Sequence, residues 1–159
     1  MIENIHIDKA TVGDSALLAV MVGELLNEIM VATGSHAFNF NLEETTARLK
    51  GFIEQGRYFV LIARDGGGAE SGFVAVYECY ALYAEGRFGT MPELYVRPEH
   101  RSQGVGRLLI EGVKAYGLEQ GWSRIEVMTP PLPQFDRTLA FYQREGFAVS
   151  GGHKLRMLL

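Results

Sequence analysis

The chain has 159 residues, of which 47% are hydrophobic and 21% charged, with a net charge of −4. This is one domain's worth of sequence with an ordinary globular balance, long enough to bury a sizeable core. The acidic balance argues against a nucleic-acid partner, which needs a concentrated basic surface. One cysteine, Cys79, allows no internal disulfide and fits a reducing compartment. The first residues have neither a basic nor an apolar leader region, and no uninterrupted apolar run approaches membrane-spanning length. The expectation is a cytoplasmic chain without a membrane partner.

Ile2, Ile5 and Ile7 alternate with polar residues and predict a strand over about Ile2–Lys9. Asp14 or Ser15 then caps a helix over about Ser15–Ala32. That helix is apolar on more than one side, from Leu17 and Leu18 through Ile29, Met30 and Val31, with Glu24 and Glu28 as its only charges. Such a helix is covered on two sides, by core or, on the second side, by a subunit interface or a substrate wall. We expect a homodimer on this ground. Thr33–Phe40 reads as a loop, and Asn41 with Glu44 resembles a capping box opening a helix to about Gln55.

Tyr58–Arg64 is a continuous apolar run, hence a buried strand. The turn Asp65–Gly68 leads into a second strand, Gly72–Tyr83, so the two form a hairpin. Ala84-Glu85-Gly86 turns the chain into the strand Phe88–Val96. Pro98 holds Arg97 out of the α region and ends that strand. From Val105 the apolar residues fall at 105, 108, 109, 113 and 116, one face of a helix over about Gly104–Gln120, closed by Gly121. Ser123–Met128 comes next as a strand, then the stiff loop Thr129–Pro133. Asp136 is expected to cap a last helix to about Arg144, and Val149 and Leu155–Leu159 to supply closing strands.

The stretch Glu93–Ile110 organises the whole. Its loop delivers backbone N–H groups to the positive end of a helix beside Arg101 and Arg107, a place that binds phosphate. A Walker A loop is excluded because Arg107 and Leu108 follow Gly106. A dinucleotide fingerprint is excluded because Leu109 stands where a third glycine is needed. Arg101-Ser102-Gln103-Gly104-Val105-Gly106 resembles the acetyl-CoA signature of the GCN5-related N-acetyltransferases, Q/R-x-x-G-x-G/A, set as in that family between a strand and an amphipathic helix. The element order β-α-α-β-β-β-α-β-α-β-β matches the family over essentially the whole chain.

The resemblance implies a single N-acetyltransferase domain over 1–159, α/β, with a mixed, mostly antiparallel seven-stranded sheet and four helices. It implies a splayed V between the fourth and fifth strands. Acetyl-CoA is the implied cosubstrate and an amine-bearing molecule the partner. By resemblance, Leu94, Tyr95 and Val96 contact the pantetheine arm, while Arg101, Ser102, Gln103, Gly104, Val105, Gly106 and Arg107 cradle the pyrophosphate. Tyr142, in Phe141-Tyr142-Gln143-Arg144-Glu145-Gly146-Phe147, resembles the tyrosine beside the CoA sulfur. A phenol near pKa 10 can protonate a departing thiolate of pKa about 8.5; the other reading is a packed aromatic.

Glu93 is the candidate base, since an alkyl amine of pKa about 10.4 must lose a proton before it attacks; the other reading is a solvated or ion-paired strand residue. The usual asparagine and alanine before the tyrosine are replaced by Phe135 and Thr138, leaving Asp136 as a weak stand-in. Glu24, Glu28, Glu43 and Glu44 hint at a cationic acceptor such as an aminoglycoside, a polyamine or a lysine-like group. His6, His36, His100 and His153 lack metal-ligand spacing, so no metal is expected. A second function class, a CoA-thioester-binding regulatory module without catalysis, stays open. The pairing of Tyr142 with Glu93 favours the enzyme.

Overall fold

A computed structural model describes residues 4–159. The chain divides into two compact units, Met1–Met128 and Thr129–Leu159. The first holds one five-stranded sheet in the order β1-β2-β3-β4-β5, with β1 His6–Lys9, β2 Phe59–Arg64, β3 Glu70–Ala81, β4 Gly86–Val96 and β5 Ile125–Val127. The first four strands are antiparallel neighbours, and β5 joins β4 in parallel. Three helices complete the unit, α1 Ser15–Thr33, α2 Leu42–Glu54 and α3 Val105–Gln120. The expected first strand is found from His6 onward, and Ile2 lies outside the described residues.

Strand periodicity sends alternate residues to opposite faces. Val60 and Ile62 of β2, Phe73 and Ala75 of β3 and Tyr95 of β4 form one buried cluster with Leu18, Ala19, Met21 and Val22 of α1 and Leu49 of α2. The intervening residues face α3, where Val105, Leu109, Ile110 and Val113 are buried and Tyr116 stacks on Phe59 at 3.7 Å between ring centres. Each fully buried aliphatic side chain of this kind contributes about 1.5–3 kcal/mol.

The second side of α1 is covered within the unit: α2 packs on it, and the ring of Phe40 lies over Gly23, where a Cβ would come within 2.7 Å of it. Val20 and Val31 remain exposed, separated by about three turns. The segment Val12–Thr33 is by length and composition long and apolar enough to cross a membrane. Its buried residues Leu18, Ala19 and Met21 are spent on the sheet. Asn41 caps α2 as expected, its side chain accepting from the Glu44 amide at 2.9 Å.

The second unit contains one helix, α4 Asp136–Arg144, and no strand. Among the described residues the expected seven strands are therefore five. Leu155–Leu159 is largely apolar, but a strand exists only through a paired edge, and Leu155, Met157, Leu158 and Leu159 are exposed, as is Val149. The expected strand Ser123–Met128 shrinks to Ile125–Val127, because the Ser123 hydroxyl donates to the Ala84 carbonyl at 2.7 Å and its amide to Arg87. Phe135, not Asp136, occupies the N-cap of α4. Asp136 is its first residue.

Candidate active site

The sheet parts at its β4–β5 end. β4 pairs with β5 only at Gly89↔Ile125, Thr90↔Glu126 and Met91↔Val127, and beyond Met91 the edge of β4 that faces β5 has no strand partner. Against β3, Ala75 pairs with Glu93 while Tyr77 pairs with Thr90, so β4 holds one extra residue at Met91-Pro92. Proline, which has no N–H to give a ladder, suits such a bulge. The extra residue changes the alternation and re-aims the side chains after it. Glu93 thereby faces the α1/α2 side together with Tyr95, while Leu94 and Val96 face α3.

The carboxylate of Glu93 accepts the hydroxyl of Tyr58 at 3.1 and 3.2 Å, one contact to each oxygen. No ion pair reaches it among the described residues. Burial pushes its carboxyl up to about 7, and the Tyr58 hydrogen bond lowers it only in part. Tyr58 is itself raised well above the phenol range, first by burial and then by the Glu93 charge. Its ring lies 4.9 Å from Phe52 of α2 and 6.2 Å from Tyr77, nearly parallel to the latter. Sequence reasoning missed Tyr58, Tyr77 and Phe52. The hairpin register held the signal, since Phe59↔Val76 places Tyr58 opposite Tyr77.

The loop after β4 forms a cradle of amides. Ser102 and Gly104 both take left-handed backbone conformations, φ 62° and 86°, around Gln103. Glycine carries no steric penalty at such an angle. Among the described residues none of the amides of Ser102 to Arg107 finds a backbone acceptor, whereas the next, Leu108, donates to Gly104 at 3.1 Å. Consecutive N–H groups aimed outward at a helix N-terminus are an anion site. Arg107 stands beside it, exposed and without an ion pair among the described residues.

Arg101 behaves differently. Its Nε donates to the Val96 carbonyl at 2.8 Å and a terminal nitrogen to Glu28 at 2.6 Å, so its guanidinium is spent on fastening the loop to α1. Arg97 holds Glu24 in a two-pronged pair, both contacts 3.0 Å, and Tyr95 donates to the same carboxylate at 3.1 Å. The Tyr95 side chain is thus buried toward α1, leaving its backbone for the open edge. Glu24 and Glu28, read from sequence as a lure for a cationic acceptor, are neutralised inside the protein. Glu44 pairs with Arg48, and Glu43 lies exposed in the first turn of α2.

In the second unit Tyr142 is buried against Phe141 and Phe147, with ring centres 5.3 and 5.4 Å away. Burial pushes its hydroxyl up to about 12. It therefore stays protonated, and able to donate, at any physiological pH.

A family model described as the acetyltransferase (GNAT) domain matches residues 54–149. The chain belongs to the GCN5-related N-acetyltransferases. Solved structures share the fold at low identity. An aminoglycoside acetyltransferase from an uncultured soil metagenomic sample superposes with a TM-score of 0.78 at 18% identity, over 100% of this chain and 99% of that one. A ribosomal-protein-alanine N-acetyltransferase from Brucella melitensis biovar Abortus 2308 gives 0.72 at 20%, over 96% and 99%. A predicted acetyltransferase with acetyl-CoA from Clostridium acetobutylicum gives 0.77 at 16%, over 96% of each chain. No curated protein matches the chain. This GNAT chain thus combines an unpartnered β4 edge and a run of free loop amides with a glutamate that has no ion pair among the described residues and lies beside three aromatic rings.

Proposed function

We propose that the protein moves an acetyl group from acetyl-CoA to a primary amine by direct attack. The observation that carries the reading is the pairing of an unpartnered β4 edge with the free amides of Ser102 to Arg107 at its end. A diphosphate fits the amides and Arg107, and an extended amide-bearing arm fits the backbone of Leu94, Tyr95 and Val96 as an added strand would. Acetyl-CoA offers both, and supplies an activated acyl thioester.

The chain's own residues then handle protons. Glu93, ionised above about pH 7, takes one proton from the acceptor's ammonium, directly or through water. The amine nitrogen bonds to the acetyl carbon as the carbon–sulfur bond breaks. The second nitrogen proton is lost as the amide forms, and the departing thiolate takes up a proton, for which Tyr142 is the assigned donor. One proton is released overall, giving the N-acetyl product and free CoA thiol. Assignment of Tyr142 rests on the family resemblance of its helix and on its burial as a protonated phenol.

A CoA-thiol release assay against a panel of amines tests the reading. Thiol release that requires both acetyl-CoA and an amine supports it; acetyl-CoA binding without release for any amine favours the regulatory module. We also propose a cytoplasmic homodimer. On α1 only the well-separated Val20 and Val31 are exposed among its large apolar residues, whereas at the β3–β4 tip Tyr80, Leu82 and Tyr83 are exposed close together in the chain, and that tip is the proposed contact.

A further inference from the structure

The acidic residues of α1 and α2 suggest a polycationic acceptor only while their partners are ignored. Glu24 is held by Arg97 and Tyr95, Glu28 by Arg101 and Glu44 by Arg48. On the α1/α2 face of the sheet, at the open end of β4, the Glu93 carboxylate has no cation among the described residues. Around it lie rings rather than charges. Phe52 and Tyr77 are each 36% exposed, enough to leave a ring face open to a ligand. Lysine and arginine sit over Phe59, Tyr95 and Tyr83 elsewhere, but no protein cation sits over Phe52, Tyr58 or Tyr77 among the described residues.

The charge of Glu93 is felt at both hydroxyls, at Tyr58 through direct contact and at Tyr77 as a smaller effect behind burial and Cys79. A half-buried carboxylate without a counter-ion, backed by negative ring faces without a cation, is complementary to one ammonium group. It offers nothing to a second or third ammonium, whose desolvation would go uncompensated. Resting on the acetyltransferase reading, the geometry points to a monoamine acceptor: one alkylammonium head at Glu93 and an apolar body laid along Phe52, Tyr58 and Tyr77.

Saturation transfer and calorimetry with phenethylamine, n-hexylamine, spermidine and kanamycin test this on the protein loaded with CoA, followed by thiol release from acetyl-CoA. The two monoamines should bind and turn over with kcat/KM at least tenfold above spermidine and kanamycin. Tyr77→Ala should lower kcat/KM for phenethylamine about tenfold, the scale of a partly desolvated cation–ring contact. Tyr77→Phe, which keeps the ring, should restore most of that loss. Glu43→Gln and Glu54→Gln, which change the two α2 carboxylates without ion pairs, should not alter it. Preference for spermidine or kanamycin, or loss of activity in the α2 variants, overturns the monoamine assignment while leaving acetyl transfer intact. Failure of CoA itself to bind would instead remove the acetyltransferase reading beneath it.

Discussion

At the scale of single residues, the proposed chemistry turns on Glu93, a glutamate held in an apolar setting. Because burial raises Glu93 to about 7, the native state keeps a proton that the unfolded chain releases near pH 4.5. Stability therefore falls as pH climbs from about 4.5 to 7 and is flat above. Glu93→Gln removes that slope, and its amide oxygen can still accept from Tyr58. Denaturant unfolding should find the variant more stable than wild type by roughly 1–3 kcal/mol at pH 8 and equal to it below pH 4.5. Activity runs the other way, since kcat/KM should rise through about pH 7 in wild type and lose this limb in Glu93→Gln.

Tyr58→Phe deletes the hydrogen bond that lowers the Glu93 carboxyl. The acid limb should then move to higher pH, with a several-fold loss at pH 6.5 that shrinks at pH 8.5. Tyr142→Phe keeps the ring's packing and should lower kcat by roughly 10²- to 10⁴-fold at every pH. An unchanged kcat, where chemistry limits turnover, would reduce Tyr142 to a packing residue.

At the scale of elements, the V depends on how closely strands approach. A Cβ at Gly72 would run into the Tyr95 carbonyl oxygen, a backbone atom that cannot swing aside. Gly72→Ala should push β4 away just where its edge is open, lowering stability by about 1–3 kcal/mol and weakening acetyl-CoA binding together. Thermal unfolding and calorimetry on the same variant check both. The elements themselves were legible in sequence because each was locally consistent, as in the apolar spacing of α3, the Asn41 cap and the Pro98 stop. The loop Arg101–Gly106 was singled out through the family signature, and Glu93 through the need of an amine for a base near the end of β4. The aromatic neighbours were not, because Tyr58, Tyr77 and Glu93 are 16 or more positions apart, and only strand register and the Met91-Pro92 bulge bring them to one face. Ion pairing of Glu24 and Glu28 was hidden for the same reason: their partners Arg97 and Arg101 come 73 residues later. The closing strands failed because an apolar segment such as Leu155–Leu159 says nothing of whether a partner edge is present.

At the scale of the whole molecule, the first unit carries the proposed binding frame and the proposed base Glu93, and the second carries the proposed acid Tyr142. Self-association through the exposed Tyr80, Leu82 and Tyr83 tip predicts a dimer by light scattering at tens of micromolar, and Leu82→Lys should return a monomer; a monomeric wild type removes the claim. The central claim is the binding of acetyl-CoA on the open β4 edge and the amides of Ser102 to Arg107, and titration calorimetry tests it without any acceptor. Wild type should bind one acetyl-CoA per chain with Kd below about 1 mM, and Gly106→Val, with a side chain set in the cradle, should bind at least tenfold more weakly while unfolding at the same temperature. Absence of any binding heat from wild type at millimolar acetyl-CoA would contradict the account.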